Sequence, residues 1–338
     1  MEAKIYDVLI VGAGTAGLSA AIYALRAGKS VMVMEEKSYG GQIIVTPEIE
    51  NYPGISKISG YEFAQGLYEQ AKNLGMEYES GRVAQIAETG GTADLELAEK
   101  DSGREENMAG GKLFQVRTQA AGQTENGGQG KEYLARSVIL ATGAKNRPLD
   151  IDREQDFVGQ GISYCATCDG RFYRDRYVAV VGGGNTALED ALFLSEYCAK
   201  VYLIHRREEF RGEASKLELL KKKENVEILY NSIVTAIASE NDDEMDGILV
   251  WDRVKKQEQM LPVAGLFIAI GQMPDNEAFS DLASLDEKGY IQAGEDCRTG
   301  TEGIFAAGDC RTKRVRQLTT AASDGAVAAL MACEYLNG

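Results

Sequence analysis

The sequence has little of what several function classes require. No apolar run approaches the roughly 20 residues that span a bilayer. The apolar start at residues 8–11 runs straight into a glycine turn with no basic stretch before it. Neither a membrane span nor a secretory leader is expected, and the cytoplasm is the expected compartment. A surplus of positive charge is also missing: 36 Lys and Arg against 52 Asp and Glu give a net charge of −16. That balance repels phosphate backbones and argues against nucleic acid as the main partner. It does not exclude small anions, which a local cluster of arginines can bind. There is one histidine, His205, and of six cysteines only Cys165 and Cys168 stand close together. The disulfide framework of a small secreted domain is therefore not expected, and Cys198, Cys297, Cys310 and Cys333 read as buried, inert thiols. Prolines number only 5 against 38 glycines in an otherwise ordinary globular composition, and 338 residues suffice for two domains.

What is present begins with one pattern used twice. After Asp7, residues 8–11 are apolar, turn at Gly12-Ala-Gly14-Thr-Ala16-Gly17, and continue into an Ala/Leu-rich helical stretch. Residues 177–181 do the same through Gly182-Gly-Gly184-Asn185-Thr186-Ala187. Each copy leads into a second apolar run, at 31–34 and 201–204, making two strand–turn–helix–strand units. The first glycine makes the turn and the second admits a pyrophosphate to the backbone. The third position, Gly17 or Ala187, lets the helix pack close to the strand. The helix N-terminus then offers its free N–H groups to the phosphates. An ordinary tight turn is the bland reading of either copy, and two copies make it less attractive.

The ends of the second strands separate the two sites. The first ends in Glu35-Glu36, where a carboxylate accepts hydrogen bonds from a ribose diol. The second ends in His205-Arg206-Arg207 with Arg211 following, and guanidinium groups there suit a 2′-phosphate. The first site reads as FAD and the second as NADPH; a solvated basic patch is the alternative for the arginines. The expected fold is α/β, with two Rossmann-like, three-layer ββα domains, the second inserted in the first. Residues 1–146 and 262–338 would form the FAD domain and 147–261 the NADPH domain, with linkers near Arg147 and Leu261. Glycine pairs and polar residues across 85–131 read as hairpins with elaborated loops and no catalytic content.

Just before the second unit stands Ser163-Tyr-Cys165-Ala-Thr-Cys168-Asp169-Gly170. Two thiols at this spacing interconvert readily with a disulfide. Zinc would use the same spacing but usually needs two more Cys or His, and there is no second Cys-x-x-Cys. No metal site is expected. Asp169 is placed to pass a proton to a leaving thiolate if burial raises its pKa; otherwise Asp169-Gly170 is only a turn. A flavin accepts hydride and hands electron pairs to a disulfide, which places FAD between NADPH and the cysteines.

Taken in order, these motifs resemble the bacterial-type, low-molecular-weight thioredoxin reductases. They are GAGTAG at 12–17, GGQ at 40–42, TPEIENYPG at 46–54, ATG at 141–143 and CATCDG at 165–170. GGGNTALEDA at 182–191, HRREEFR at 205–211, AIG at 269–271, AAGDC at 306–310 and RQLTTAA at 316–322 complete the set. The resemblance implies an NADPH-dependent thioredoxin-disulfide reductase, a homodimer acting on thioredoxin or a thioredoxin-like redoxin. Reduction of another redoxin, or a flavin-dependent dithiol oxidase, is the alternative. It further implies that Gly40, Gly41, Gln42, Thr46 and Asn51 line the flavin, along with Ala141, Thr142, Gly143 and Gly308. Asp309 would hold the ribityl chain, and Arg316, Gln317 and Ala321 would sit at the isoalloxazine. Cys168 would face the flavin and Cys165 would attack the redoxin. A rotation between the domains is implied, since disulfide and nicotinamide compete for one place. Two departures stand out: longer loops at 85–131, and Arg171 where the family has an aromatic, so that Arg171, Arg174 and Arg176 could form a basic rim for an acidic partner.

Overall fold

A computed structural model describes residues 4–89, 112–119, 130–239 and 245–338. The glycine pairs at 90–91 and 110–111 and the tip at 122–128, read as elaborated loops, lie outside the described residues. The chain forms two compact units, Met1–Lys145 with Met273–Gly338, and Asn146–Gln272.

In the first unit, β1 (Ile5–Val11) is flanked by β2 (Val31–Glu35), which pairs with β3 (Glu77–Ser80), all in parallel. β4 (Val83–Thr89) and β5 (Leu113–Thr118) form an antiparallel pair, and β6 (Glu132–Leu140) joins β5 to the other side of β1. The hairpin reading of this region therefore holds for its described strands. Val8, Leu9 and Ile10 are 0% exposed, as expected of a strand with neighbours on both edges and helices on a face. Helix α1 (Thr15–Arg26) follows the first glycine turn, and α2 (Gly60–Asn73) starts from a capping box between Ser59 and Glu62.

The chain leaves this unit through β7 (Ala144–Asn146). In the second unit β8 (Ile162–Ser163) leads into the four-residue helix α3 (Ala166–Asp169), then β9 (Tyr177–Val181), α4 (Asn185–Ser195) and β10 (Lys200–Ile204). Helix α5 (Ala214–Lys221) and β11 (Val226–Leu229) follow. An antiparallel meander, β12 (Ser232–Ala238), β13 (Gly247–Asp252) and β14 (Gln257–Leu261), then precedes β15 (Gly265–Ile268). The parallel sheet runs β11-β10-β9-β15-β8.

This arrangement moves one expected boundary. The apolar strand after Leu261 was expected to reopen the first domain, but β15 pairs in parallel with β9, Gly265 opposite Val178. Leu261 therefore lies inside the second unit, and the chain returns at Gln272–Met273 through β16 (Gln272–Pro274), which pairs with β7. An apolar run carries no label for the sheet it joins. The last strand, β17 (Ile304–Ala306), shares one edge of β6 with β5: β5 pairs with residues 132–135 and β17 with 138–140. The closing helix α6 (Leu318–Asn337) lies against α1, where a Cβ on Gly325 would come within 2.1 Å of the Ala16 carbonyl oxygen. Among the described residues no helix is long and apolar enough to cross a membrane.

Candidate active site

The first glycine turn assigns a different job to each glycine. Gly12 has φ +107°, and a Cβ there would lie 2.3 Å from the Ala141 carbonyl oxygen. A Cβ on Gly17 would lie 1.9 Å from the Gly12 oxygen, so only glycine lets α1 approach the strand. At Gly14 the nearest protein atom to such a Cβ is 4.0 Å away, the Gly41 Cα. The protein itself therefore does not require glycine at 14; a ligand against the backbone would. Glu35, at the end of β2, accepts from the Ala13 amide (2.8 Å) and the Lys37 amide (3.1 Å), which fixes its carboxylate over the turn. Gly40 donates to Ala13 O at 2.8 Å, bringing the Gly40-Gly41-Gln42 segment alongside, and Gln42 donates to Ala144 O. Thr46 accepts from the Gly60 amide through its carbonyl, and Asn51 meets Gln317 at 3.4 Å.

Beside the same turn, Ala141 donates to Val11 O, Gly143 has open space where a Cβ would stand, and Thr142 donates to Asn276 Oδ1 at 2.8 Å. Asn276, 1% exposed, also donates to Gly289 O and Cys310 O. Asp309 is the exception in this well-bonded cluster. Among the described residues its Oδ1 is buried without a hydrogen-bond partner, and burial pushes its carboxyl above the ordinary value against the pull of Lys313 and Arg316. An orphaned acceptor of that kind is expected where a hydroxyl-bearing ligand completes the site. Arg316 stacks on Tyr290 at 4.2 Å and donates to Asp309 O; Ala321, on α6, faces Gly308.

Sequence reasoning missed what holds this corner. Asp324, on the buried stripe of α6, takes a two-pronged pair from Arg311 (2.8 and 2.7 Å), a bond from Lys313 (2.8 Å) and the Gly308 amide (3.0 Å). A lone acid in phase with buried Ala328 and Ala332 was the available signal.

In the second turn a Cβ on Gly182 would strike the Ala269 oxygen at 2.4 Å and Ala187 at 2.6 Å, whereas Gly184 again has open space. Arg206, Arg207 and Arg211 are exposed, and among the described residues none has an acidic partner. Thr186 is exposed in the first turn of α4, whose preceding Gly184 offers no side-chain cap. Asn185 is engaged with Glu213, accepting its amide at 2.7 Å. His205 departs from expectation. Grouped with the arginines as a ligand-facing edge, it is instead 4% exposed, its ring under Gly183, tilted against Phe210 and bonded to Glu209 O at 2.9 Å. Burial lowers its pKa, so it shapes the loop as a neutral ring.

Cys165 and Cys168 form a disulfide with Cα atoms 5.3 Å apart. The other four thiols are buried, and burial pushes Cys198 up to about 11 and Cys297 to about 12, far from the reactive range. Ser163, also missed, organises the pair: its hydroxyl accepts from the Cys165 amide (3.0 Å) and donates to Asp169 Oδ2 (2.6 Å). Among the described residues Asp169 Oδ1 is buried without a partner, and burial raises the carboxyl above its ordinary value, with Ser163 opposing. The turn reading of Asp169-Gly170 is thus joined by a carboxyl fit to carry a proton near the sulfurs.

Residues 6–325 match the family described as pyridine nucleotide-disulphide oxidoreductase. A thioredoxin reductase of Listeria monocytogenes is 37% identical over 335 residues, covering 99% of this chain and 95% of its own length. One from Treponema pallidum is 39% identical over 333 residues, 98% of this chain and 97% of its own. The crystal structure of a thioredoxin reductase from Streptococcus pyogenes superposes with a TM-score of 0.84 at 35% identity, covering 99% of both chains.

Proposed function

The chain belongs to the pyridine nucleotide-disulphide oxidoreductases, and we propose that it is an NADPH-dependent thioredoxin-disulfide reductase holding FAD in its first unit. The observation that carries this reading is the Cys165–Cys168 disulfide with Asp169 beside it, in a chain with two glycine turns that each leave open space at the middle glycine. Gly12, Gly14, Gly17, Glu35 and the 40–42 segment would hold the adenine dinucleotide, Asp309 the ribityl chain, and Arg316, Gln317 and Ala321 the ring. When bound, the flavin accepts hydride from the nicotinamide and supplies the electron pair that opens the disulfide. Cys165 as thiolate then attacks the redoxin disulfide. Its sulfur bonds to one redoxin sulfur, and the other leaves as thiolate and takes a proton. Cys168 attacks the mixed disulfide, regenerating Cys165–Cys168 and releasing the redoxin as dithiol. Asp169 holds the proton for the leaving sulfur. A homodimer in the cytoplasm is part of the proposal.

Asp169 titrates above the usual carboxylate range. It donates only while protonated, so turnover should be highest below its raised pKa and fall as pH rises through it. Asp169→Asn should lower redoxin turnover by roughly 10²–10⁴-fold and flatten that alkaline fall. An unchanged pH profile in the variant would remove Asp169 from the mechanism.

The three arginines make the cofactor choice. Charge-assisted bonds of about 1.5–3 kcal/mol each imply that Arg206→Ala or Arg207→Ala raises the KM for NADPH by about tenfold or more, with NADH little affected. Stopped-flow reduction with both nucleotides reads this directly, and equal losses for both would assign the arginines elsewhere. The enzyme itself is tested by following NADPH consumption with a thioredoxin disulfide as sole acceptor; a colourless purified protein, or no turnover, would contradict it.

A further inference from the structure

Resting on that reading, we propose that Arg171 and Arg174 receive an acidic side chain of the redoxin, a few residues past the cysteine pair that reduces it as a dithiol. The three arginines of this segment do not act alike. Arg171 and Arg174 line a cavity of about 460 Å³ together with Phe193, Glu196 and Tyr197 of the α4 end. Arg176 is outside that lining. Glu196 is the one acid there, and it is taken by Lys223 at 2.5 Å. Among the described residues neither guanidinium has a carboxylate partner. Arg174 instead lies 5.8 Å from the centre of the Tyr197 ring, which holds it in place without neutralising it.

The cavity is tied to the redox pair by covalent continuity and packing. Arg171 lies in the single turn Gly170–Tyr173 that follows α3, three residues past Cys168. A Cβ on Gly170 would come within 2.5 Å of the Tyr197 hydroxyl, so the wall of the cavity abuts the residue after Asp169. Phe172, between the two arginines in the chain, is 48% exposed and offers an apolar contact to a partner. Charge selects the occupant. On a chain of net charge −16, long-range repulsion disfavours an acidic partner everywhere except where cations stand unpaired. A planar fork pair recognises a carboxylate in fixed geometry, and a partner carboxylate seated there would lie beside the turn that directly follows the cysteine helix.

The test measures kcat and KM for a thioredoxin disulfide with the FAD-loaded protein, from low to physiological salt. Wild type, Arg171→Glu, Arg174→Glu and the double variant are compared. The expected result is a KM for thioredoxin that rises about tenfold or more per reversal, with kcat and the rate of flavin reduction by NADPH unchanged. The wild-type KM should rise with salt and that of the double variant should not. A thioredoxin carrying a Glu→Lys or Asp→Lys change beside its own disulfide should recover affinity with Arg171→Glu. Unchanged KM values in variants that still turn over would overturn the docking pair alone. Failure of the wild type to reduce any thioredoxin would overturn the underlying reading with it.

Discussion

Changing Cys165 to Ser should reduce thioredoxin turnover by roughly three orders of magnitude or more while leaving flavin reduction by NADPH at its wild-type rate. The two half-reactions draw on different residues: the glycine turns, Glu35 and the arginines for nucleotides, and the sulfurs for the redoxin. Cys168→Ser should likewise abolish turnover, but it leaves Cys165 able to attack. That variant should accumulate a stable mixed disulfide with thioredoxin, visible as a thiol-sensitive band on a gel, and Cys165→Ser should not. If Cys165→Ser traps the partner and Cys168→Ser does not, the two sulfurs exchange roles. Buried Cys198, Cys297, Cys310 and Cys333 cannot substitute, since burial keeps their thiols protonated.

Asp324→Asn should be the most destabilising single change near the flavin turn. Arg311 and Lys313 have side chains only 9% and 8% exposed, and Asp324 is the acid paired with both. Removing one partner of a buried ion cluster costs about 3–5 kcal/mol because charge is left buried and uncompensated. The melting temperature should fall by roughly 10 °C, and the Gly308 amide, which shapes the segment carrying Asp309, should lose its anchor. Replacing the cluster as a whole, with Arg311→Met, Lys313→Met and Asp324→Leu, should recover part of the loss. Burial alone would raise the Asp324 pKa; Arg311 and Lys313 hold it below the ordinary 3.8. A carboxyl depressed in the folded state contributes stability that is present above its unfolded pKa and lost as pH falls through the folded one. Wild type should therefore weaken more than Asp324→Asn as pH drops below 3.8. A variant as stable as wild type at neutral pH would show the cluster to be energetically idle.

What could be read from the sequence followed from local chemistry. The glycine turns, the arginines after β10 and the cysteine pair each declare themselves within a dozen residues, because turn geometry, phosphate recognition and ring closure are short-range. Contacts made in three dimensions were silent. Ser163 is an ordinary strand residue until the turn brings Asp169 to 2.6 Å from it. Asp324 meets Arg311 only because α6 packs beside the end of β17. β15 carries the same apolar code as any core strand, so its membership in the second sheet could not be read. His205 stood among arginines in sequence, but past the end of β10 its ring packs under Gly183 while Arg206 and Arg207 stay exposed.

The route of the electrons is tested most directly by anaerobic titration of the FAD-loaded protein with NADPH, counting thiols as they appear. Wild type should take up about two equivalents per flavin, one for the flavin and one for the disulfide. Two new reactive thiols should appear, and alkylation followed by peptide mapping should place them at Cys165 and Cys168. The Cys165→Ser, Cys168→Ser double variant should take up about one equivalent and expose none. One equivalent in both proteins, with Cys165–Cys168 still oxidised beside a reduced flavin, would contradict the account.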